Sequence, residues 1–333
     1  MKRVLLTGIG GFMGSHVLRH IMENTDWEVV GIDSFRHKGM TDRINVQMDG
    51  LDMSRLTIIT HDLAAPISYF MDEQIGHIDY VLNVASESHV DRSIDEPRDF
   101  IHNNVELMLT MLEWARDREV EKFVQISTDE VYGPAPDGHN HVEWETYLPS
   151  NPYSASKAAQ ESIAFAYWRT YDLPLIITNT MNIIGEMQDP EKFVPKVMQH
   201  VENRESMTIH ASAEGRVGSR YYLHARNQAD ALLFILQNIT PVKYGDADRP
   251  EKFHIVGEQE VTNLEMAQMI ARIMKKELKY SLVDFHSSRP GHDLRYALDG
   301  KKLADAGWKA PLSLEDSLKN TINWTQKHKE WLK

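Results

Sequence analysis

The sequence predicts an α/β fold, a doubly wound parallel sheet of the Rossmann type followed by a smaller C-terminal α/β domain. Three observations predict it. Short, almost wholly apolar runs alternate with helix-periodic segments through residues 1–180, a glycine-rich turn follows the first run, and the alternation loosens after that region. Apolar strands that alternate with helices indicate parallel strands covered on both faces.

The predicted strands of the first part are rich in β-branched residues. They cover residues 2–8, 27–33, 56–60, 78–85, 122–128 and 173–179. Helical spacing of apolar residues follows the first strand at 13–25 and precedes the fifth at 96–117, where Pro97 is typical of a first helical turn. The sequence therefore predicts a dinucleotide-binding type of domain over residues 1–180.

Residues 181–333 predict the smaller domain, with part of 220–258 returning to the first. The predicted helices cover 191–203, 225–238 and 263–276, and the strands 206–210 and 251–257. Met266, Met269 and Met274 have helical spacing, and such a stripe is typical of core filling.

Composition excludes several classes of protein. With 36 Lys and Arg against 49 Asp and Glu, the net charge is −13 and nucleic acid is not expected as a partner. There is no cysteine, which excludes disulfides and thiol nucleophiles and permits a cytoplasmic location. No apolar run has the roughly 20 residues of a membrane span, and the N-terminal pattern does not predict a signal peptide.

The glycine-rich turn predicts a dinucleotide site. Gly8, Gly11 and Gly14 lie between the first strand and the first helix, where glycines allow a tight turn and close approach of a pyrophosphate. Asp33 ends the second strand, where a carboxylate accepts hydrogen bonds from a ribose and favours NAD over NADP. Arg36 and Lys38 weaken that preference. A purely structural glycine turn is the alternative.

Two further patterns carry candidate chemistry. Tyr153 and Lys157 are four residues apart on one helix face, and an ammonium beside a phenol favours the phenolate that accepts an alcohol proton. Asp129 and Glu130 follow an apolar run. They could serve one substrate as acid and base if the strand ends there, because neighbours on a strand point to opposite faces. A surface Tyr–Lys pair and turn-capping carboxylates are the alternatives.

With these features in place, the chain resembles the extended short-chain dehydrogenase/reductase superfamily. Five segments resemble the nucleotide-hexose 4,6-dehydratases, most closely the dTDP-glucose 4,6-dehydratase family, and the resemblance covers nearly the whole chain. They are ASESHVDRSIDEP, STDEVYG, PYSASKAAQE, PEKFVPKVM and RPGHDLRYALD, beginning at residues 85, 127, 152, 190 and 289.

The resemblance implies a 4,6-dehydration of a nucleotide-activated hexose with tightly bound NAD that is regenerated in each turnover. Tyr153 would be the base for oxidation at C4, with Lys157 and Thr128 assisting. Glu130 would take the C5 proton and Asp129 would protonate the leaving C6 oxygen.

The resemblance also implies the binding residues. The cofactor set is Gly8, Gly11, Phe12, Met13, Gly14, Asp33, Asp62, Leu63, Tyr153 and Lys157. The substrate set is Ser88, His89, Asn182, Glu191, Lys192, Arg220, Asn263, Arg289 and His292. Arg220, Arg289 and His292 would hold the nucleotide and its phosphates.

The chain departs from the family pattern at residues 85–89, 182–186 and 220–227. These changes leave the substrate open between dTDP-glucose, UDP-glucose and UDP-N-acetylglucosamine. A nucleotide-sugar 4-epimerase or decarboxylase and a non-catalytic binding relative remain as alternatives.

Family members pair through the Tyr–Lys helix, which implies a homodimer. Apolar residues on that helix are compatible with it or with burial in the protein's own core; they are Ile163, Phe165, Ala166 and Tyr167. Among 16 histidines, His139 and His141 invite a metal site, but no carboxylate lies at persuasive ligand spacing. We therefore expect a solvent-exposed loop there and no metal.

Overall fold

A seven-stranded parallel sheet lies at the centre of the computed structural model, which describes residues 1–36, 38–284 and 294–333. Its strands are β1 Arg3–Thr7, β2 Glu28–Asp33, β3 Leu56–Thr60, β4 Tyr80–Asn83, β5 Lys122–Thr128, β6 Leu175–Thr180 and β10 Glu251–Ile255. The spatial order is β3-β2-β1-β4-β5-β6-β10, and all neighbouring pairs are parallel. The predicted doubly wound fold is confirmed.

Helices cover both faces of this sheet. The helices, numbered along the chain, are α1 Phe12–Asn24, α2 Thr41–Met48, α3 Tyr69–Ile75, α4 Val90–Asp95, α5 Pro97–Arg116, α6 Pro152–Tyr171, α7 Phe193–Asn203, α8 Ala225–Asn238, α9 Asn263–Ile273, α10 Lys301–Asp305 and α11 Leu314–Lys327. One apolar core includes Val17, Ile44 and Leu232 from α1, α2 and α8. A second core includes Met108 of α5 and Trp168 of α6. Each face of the sheet thus has its own apolar layer.

The strand order reverses between β1 and β4, and a crevice opens beyond their carboxyl ends. Thr7 and Asn83 end these two strands, and the Thr7 hydroxyl donates to Asn83 Oδ1 over 2.9 Å. The same hydroxyl accepts from the backbone N–H groups of Val84 and Ala85, each at 3.0 Å. These bonds fix the chain where it leaves the sheet, at the point where open α/β folds bind ligands.

Two small sheets lie outside the main sheet. They contain β7 Asn182–Ile184, β8 Ser206–Ala211, β9 Ser219–His224, β11 Glu260–Thr262 and β12 Lys279–Asp284, paired as β11-β9-β7 and β12-β8. Their apolar core includes Met266 and Met274, with Met269 packed against it, which confirms core filling by the methionine stripe. The strand β10 lies beside β6 in the main sheet. The division at residue 180 stays a prediction.

The apolar residues of α6 contribute to the protein's own core. Ile163, Phe165 and Tyr167 are partly buried against the core that α5 and α6 share, whereas Ala166 is exposed. The homodimer therefore stays a prediction. None of the helices formed by residues 1–36, 38–284 and 294–333 has both the length and the apolar character of a membrane span.

Candidate active site

A cavity of about 400 Å³ lies beyond the carboxyl ends of the central strands. It brings together all five catalytic candidates and all the predicted cofactor residues. The cavity is lined by Gly8, Gly11, Phe12, Met13, Gly14, Asp33, Asp62, Leu63, Thr128, Asp129, Glu130, Tyr153 and Lys157, among others. Residues from distant parts of the sequence therefore share one site.

The glycine turn forms a cradle without side chains. Gly8 has a φ of 70°, which favours glycine, and a Cβ there would lie 3.0 Å from Ala85 Cα. A Cβ on Gly14 would lie 2.0 Å from the carbonyl oxygen of Gly8. Gly11, the residue before α1, lines the cavity, so the N-terminus of the helix faces it. No side chain of the described residues caps this end of the helix. Such a surface fits the pyrophosphate of a dinucleotide.

Asp33 and its neighbours fit the ribose of such a ligand. Its two oxygens accept from the N–H groups of Gly10 and Phe35, each at 2.9 Å, and each oxygen retains a lone pair for a hydroxyl donor. The nearby cations have protein partners: Arg36 lies 2.6 Å from Asp62, and Lys38 lies 3.0 Å from Asp189. Because both cations are paired with protein carboxylates, they are less available to the 2′-phosphate of NADP. The preference of Asp33 for NAD therefore holds better than the sequence alone suggested.

The two candidate carboxylates lie on a tight turn. The strand β5 ends at Thr128, and a 3₁₀ turn begins at Asp129 and continues to Tyr132. The Thr128 hydroxyl donates to Asp129 Oδ1 over 2.9 Å and accepts from the Glu130 N–H over 3.3 Å. The strand ends where the sequence argument required it to end, so both side chains line the same cavity.

Asp129 has the environment of an acid. It is 4% exposed, and its Oδ2 has no hydrogen-bond partner within the described parts of the chain. Burial, with repulsion from Glu130 next, raises the pKa of Asp129 to about 7, although the Thr128 hydroxyl opposes the shift. A carboxyl group with that pKa holds a proton for a substantial fraction of the time at neutral pH.

Glu130 is oriented by a residue that the sequence argument missed. The side-chain amide of Asn151 donates to Glu130 Oε2 over 3.1 Å. Asn151 also caps α6, where its Oδ1 accepts from the Ser154 N–H over 2.9 Å. Its place before Pro152, with Ser154 three residues on, is a capping signal, but that signal does not indicate a contact with Glu130.

Tyr153 and Lys157 lie on the first turns of α6, where Lys157 is buried and Tyr153 is partly buried. The Lys157 ammonium donates to the Ile126 carbonyl at 2.8 Å and to Gln160 Oε1 at 2.5 Å, while burial lowers its pKa to about 7. Burial makes the largest contribution to raising the pKa of Tyr153, and the charge of Glu130 makes the next largest. A hydrogen bond with Thr128 acts in the opposite direction but does not cancel the shift. The expected lowering of the tyrosine pKa by Lys157 was wrong for this structure, in which the pKa of Tyr153 is raised and the lysine ammonium donates to Ile126 and Gln160 instead.

The substrate candidates divide into three groups. Ser88, His89, Asn182 and Lys192 line the cavity. Glu191, Arg220 and Asn263 are outside its described lining. Arg289 and His292 lie outside the described residues. The predicted substrate set is thus brought together only in part.

The second group has other contacts. Glu191 lies 3.1 Å from His89, and the Arg220 guanidinium lies over the ring of Tyr296 at 4.4 Å. Asn263 Oδ1 accepts from the Tyr222 hydroxyl over 2.8 Å, and Tyr222 does line the cavity. Asn263 therefore reaches the site through that tyrosine.

Comparison with known proteins places this geometry in a family. The model of the NAD dependent epimerase/dehydratase family matches residues 4–247. The chain is 34% identical to dTDP-glucose 4,6-dehydratase 1 of Escherichia coli strain K12, over 99% of this chain and 94% of that protein. It is 33% identical to the low-salt glycan biosynthesis protein Agl12 of Haloferax volcanii, over 96% and 97%.

A solved structure gives the same result. The fold is similar, with a TM-score of 0.86, to a double mutant of DesIV, a dTDP-glucose 4,6-dehydratase of Streptomyces venezuelae with NAD bound. The identity is 29%, covering 99% of this chain and 98% of that one. The predicted resemblance is confirmed, and the chain belongs to the NAD dependent epimerase/dehydratase family.

Proposed function

We propose that this protein is an NAD-dependent nucleotide-sugar 4,6-dehydratase with dTDP-glucose as its substrate. The observation that carries the proposal is the turn from Thr128 to Tyr132, which places a buried, protonatable Asp129 beside Glu130 in the cavity of Tyr153 and Lys157. An epimerase needs the tyrosine and the lysine but has no use for an additional acid and base.

The cofactor is NAD, and the residues present fit it. The glycine cradle and the N-terminus of α1 would hold the pyrophosphate, while Asp33 would accept hydrogen bonds from the ribose. When bound, NAD accepts a hydride from C4 of the hexose and later returns it to C6. Tight retention of NAD and its regeneration in each turnover are part of the proposal.

The chain's own residues perform the proton transfers. Tyr153 takes the proton of the C4 hydroxyl, and the resulting ketone makes the C5 proton acidic. Glu130, held by Asn151, removes that proton. Asp129 gives its proton to the C6 oxygen, which leaves as water, and Glu130 returns a proton to C5 when the hydride is added to C6. Tyr153 then releases its proton and Asp129 regains one by exchange with solvent. Two carboxyl groups with different protonation states thus divide acid and base work between them.

The substrate proposal is tested by incubating the purified protein with dTDP-glucose and UDP-glucose in parallel. We expect mass spectrometry to show the loss of one water molecule, with dTDP-glucose converted faster. Faster conversion of UDP-glucose would move the proposal to that nucleotide sugar, and UDP-N-acetylglucosamine serves as a third substrate in the same assay.

Three results would contradict dehydration altogether. A change of 4-epimer without a change in mass would indicate an epimerase. The loss of carbon dioxide from a nucleotide-linked glucuronate would indicate a decarboxylase. A protein that binds all these nucleotide sugars without altering any of them would be a non-catalytic relative.

Gly14→Ala should weaken NAD binding. The added methyl group would lie 2.0 Å from the Gly8 carbonyl oxygen, so the turn must shift away from the pyrophosphate position. We expect NAD affinity, measured by calorimetric titration, to fall at least about tenfold. Gly50→Ala is the control for a general loss of stability, because its φ of 76° strains an alanine while a Cβ there meets no atom within 4 Å and the residue is outside the cavity lining. Equal losses in both variants would show that the cradle does not contact the cofactor.

The homodimer and the cytoplasmic location are also proposals. The family resemblance supports pairing through α6, and Ala166 and Tyr171 are exposed on that helix. We expect light scattering to give twice the chain mass, and a monomer at micromolar concentration would exclude the dimer. We expect cell fractionation to place the protein with the cytoplasmic enzymes.

A further inference from the structure

The segment between the carboxylate turn and α6 gathers three metal-ligating side chains. His139, His141 and Glu145 each offer a ligand atom, and these atoms lie within 4.8 Å of one another. The expectation of a solvent-exposed loop was wrong for His141, which is 8% exposed and stacks on Tyr132 at a ring distance of 5.3 Å. The sequence analysis found no carboxylate at a suitable spacing and so missed Glu145, which lies four residues after His141.

The distances between the candidate ligand atoms are close to those between the ligands of a bound divalent cation. His139 Nε2 lies 3.1 Å from each oxygen of Glu145, and His141 Nδ1 lies 2.6 Å from Oε2. Ligand atoms of a tetrahedral zinc site, each about 2.0–2.1 Å from the metal, are roughly 3.3 Å apart. The ion would therefore fit if the His141 ring and the Glu145 carboxylate moved slightly apart.

The backbone holds these residues in place. His141 is anchored on both sides, because its N–H donates to the Ala297 carbonyl at 3.0 Å and its carbonyl accepts from Asp299 at 2.8 Å. The guanidinium of Arg295 donates to the His139 carbonyl at 2.6 Å. Glu145 Oε1 accepts from the Val142 N–H at 3.0 Å. The three ligands are thus positioned without the ion.

The donor set selects the kind of metal. Two imidazoles and one carboxylate suit zinc and the neighbouring first-row divalent ions, whereas calcium and magnesium prefer oxygen ligands. Three protein ligands and one water complete a tetrahedron around zinc.

We propose that His139, His141 and Glu145 form a zinc site within this segment, whose His141 ring stacks on Tyr132 of the carboxylate turn. Among the described residues this is the one group of three such side chains. Other histidine–carboxylate pairs, such as His102 with Glu106 at 3.7 Å, have a single histidine. The site lies outside the proposed chemistry, since none of its three residues lines the active cavity.

The test is a calorimetric titration of tag-free, chelator-treated protein with zinc chloride. We expect saturable binding of about one ion per chain at micromolar concentration. His139→Gln and Glu145→Gln should each weaken it by roughly 10–100-fold or more, because outer residues alone are worth that much. His102→Gln, an exposed histidine beside a single carboxylate, should bind zinc like the unaltered protein.

Thermal unfolding gives a second readout that does not depend on activity. Zinc should raise the Tm of the unaltered protein and of His102→Gln, but not that of His139→Gln, whose circular dichroism checks that it folds. The absence of saturable binding at micromolar zinc would overturn the proposal. So would binding that His139→Gln and Glu145→Gln leave unchanged. Neither result would bear on the dehydratase proposal.

Discussion

Asp129→Asn should stop water loss while leaving oxidation at C4 intact. An amide cannot donate the proton that the leaving C6 oxygen requires, so we expect dehydration to slow by about 10²–10⁴-fold. In the proposed mechanism Tyr153 accepts the proton of the C4 hydroxyl, and the substitution leaves that tyrosine in place. In a single turnover, the absorbance of reduced nicotinamide should rise and persist in place of decaying.

Glu130→Gln should block an earlier proton transfer than Asp129→Asn does. In deuterium oxide, a protein with Asp129→Asn retains the base and should still exchange the C5 proton with solvent. The Glu130→Gln variant should exchange none. Mass spectrometry of the recovered sugar reports both results, and the opposite pattern would interchange the two roles.

Asp137→Asn is the control for both variants. Asp137 is an exposed carboxylate in the segment after the same turn, paired with Arg216 and outside the lining of the cavity. It should support normal turnover. Full turnover by the double variant Asp129→Asn with Glu130→Gln would remove both residues from the mechanism.

The pH dependence of the dehydration step follows from the same carboxyl group. Burial and Glu130 raise the pKa of Asp129 from 3.8 to about 7. The acid is therefore protonated below pH 7 and ionised above it, so dehydration should decline as the pH rises through 7. Lys157 loses its charge over the same range, since burial lowers its pKa to about 7. Oxidation at C4, measured separately in Asp129→Asn, isolates the contribution of the lysine.

Short-range patterns predicted much of the fold and of the chemistry. Most strands of the main sheet are buried on both faces and carry runs of apolar residues, whereas the edge strand β3 is largely exposed. The glycine turn and the Tyr153–Lys157 pair are local, because their members lie within one turn or on one helix face. The end of β5 at Thr128 was predicted from the need of both carboxylates to face one substrate.

The contacts that the sequence did not predict join residues far apart in the chain. Lys38 follows β2 of the main sheet and Asp189 follows β7 of a smaller sheet, and both line the cavity, where they form an ion pair. Arg220 has the residue type expected for phosphate binding, but the guanidinium lies against Tyr296. Such pairings depend on strand order and on packing between distant segments, which no local pattern encodes.

The buried ion pair between Glu161 and Lys252 is another such contact. Lys252 Nζ lies 2.8 Å from Glu161 Oε2 and 3.0 Å from the Tyr147 hydroxyl. Neither side chain of the pair is exposed. The ammonium also lies 4.8–4.9 Å from the rings of Tyr132, Trp144 and Tyr147. The lysine is therefore enclosed by one carboxylate and three aromatic faces, which favour a cation.

Each member of this pair favours the charged form of the other. Burial alone would raise the pKa of Glu161, but the charge and hydrogen bond of Lys252 lower it below its usual value. Burial lowers the pKa of Lys252, and Glu161 opposes that shift. Loss of one member leaves the other as a buried charge without its countercharge, at a position that water cannot reach.

Lys252→Met should consequently destabilise the protein by about 3–5 kcal/mol. Methionine fills the volume among the rings but leaves the Glu161 carboxylate without its cation. The double variant Glu161→Gln with Lys252→Met should recover most of the loss, because no buried charge remains. Urea unfolding, followed by circular dichroism, measures the free energy of unfolding of each variant.

Lys301→Met provides the matched control, since it removes an exposed lysine that pairs with Asp305 on α10. Water replaces the missing partner there, so its free energy of unfolding should stay near that of the unaltered protein. If Lys252→Met lost no more stability than this control, Glu161 would have to be neutral when its partner is absent. If the double variant were as unstable as Lys252→Met, the loss would arise from packing among the aromatic rings and not from the unpaired charge.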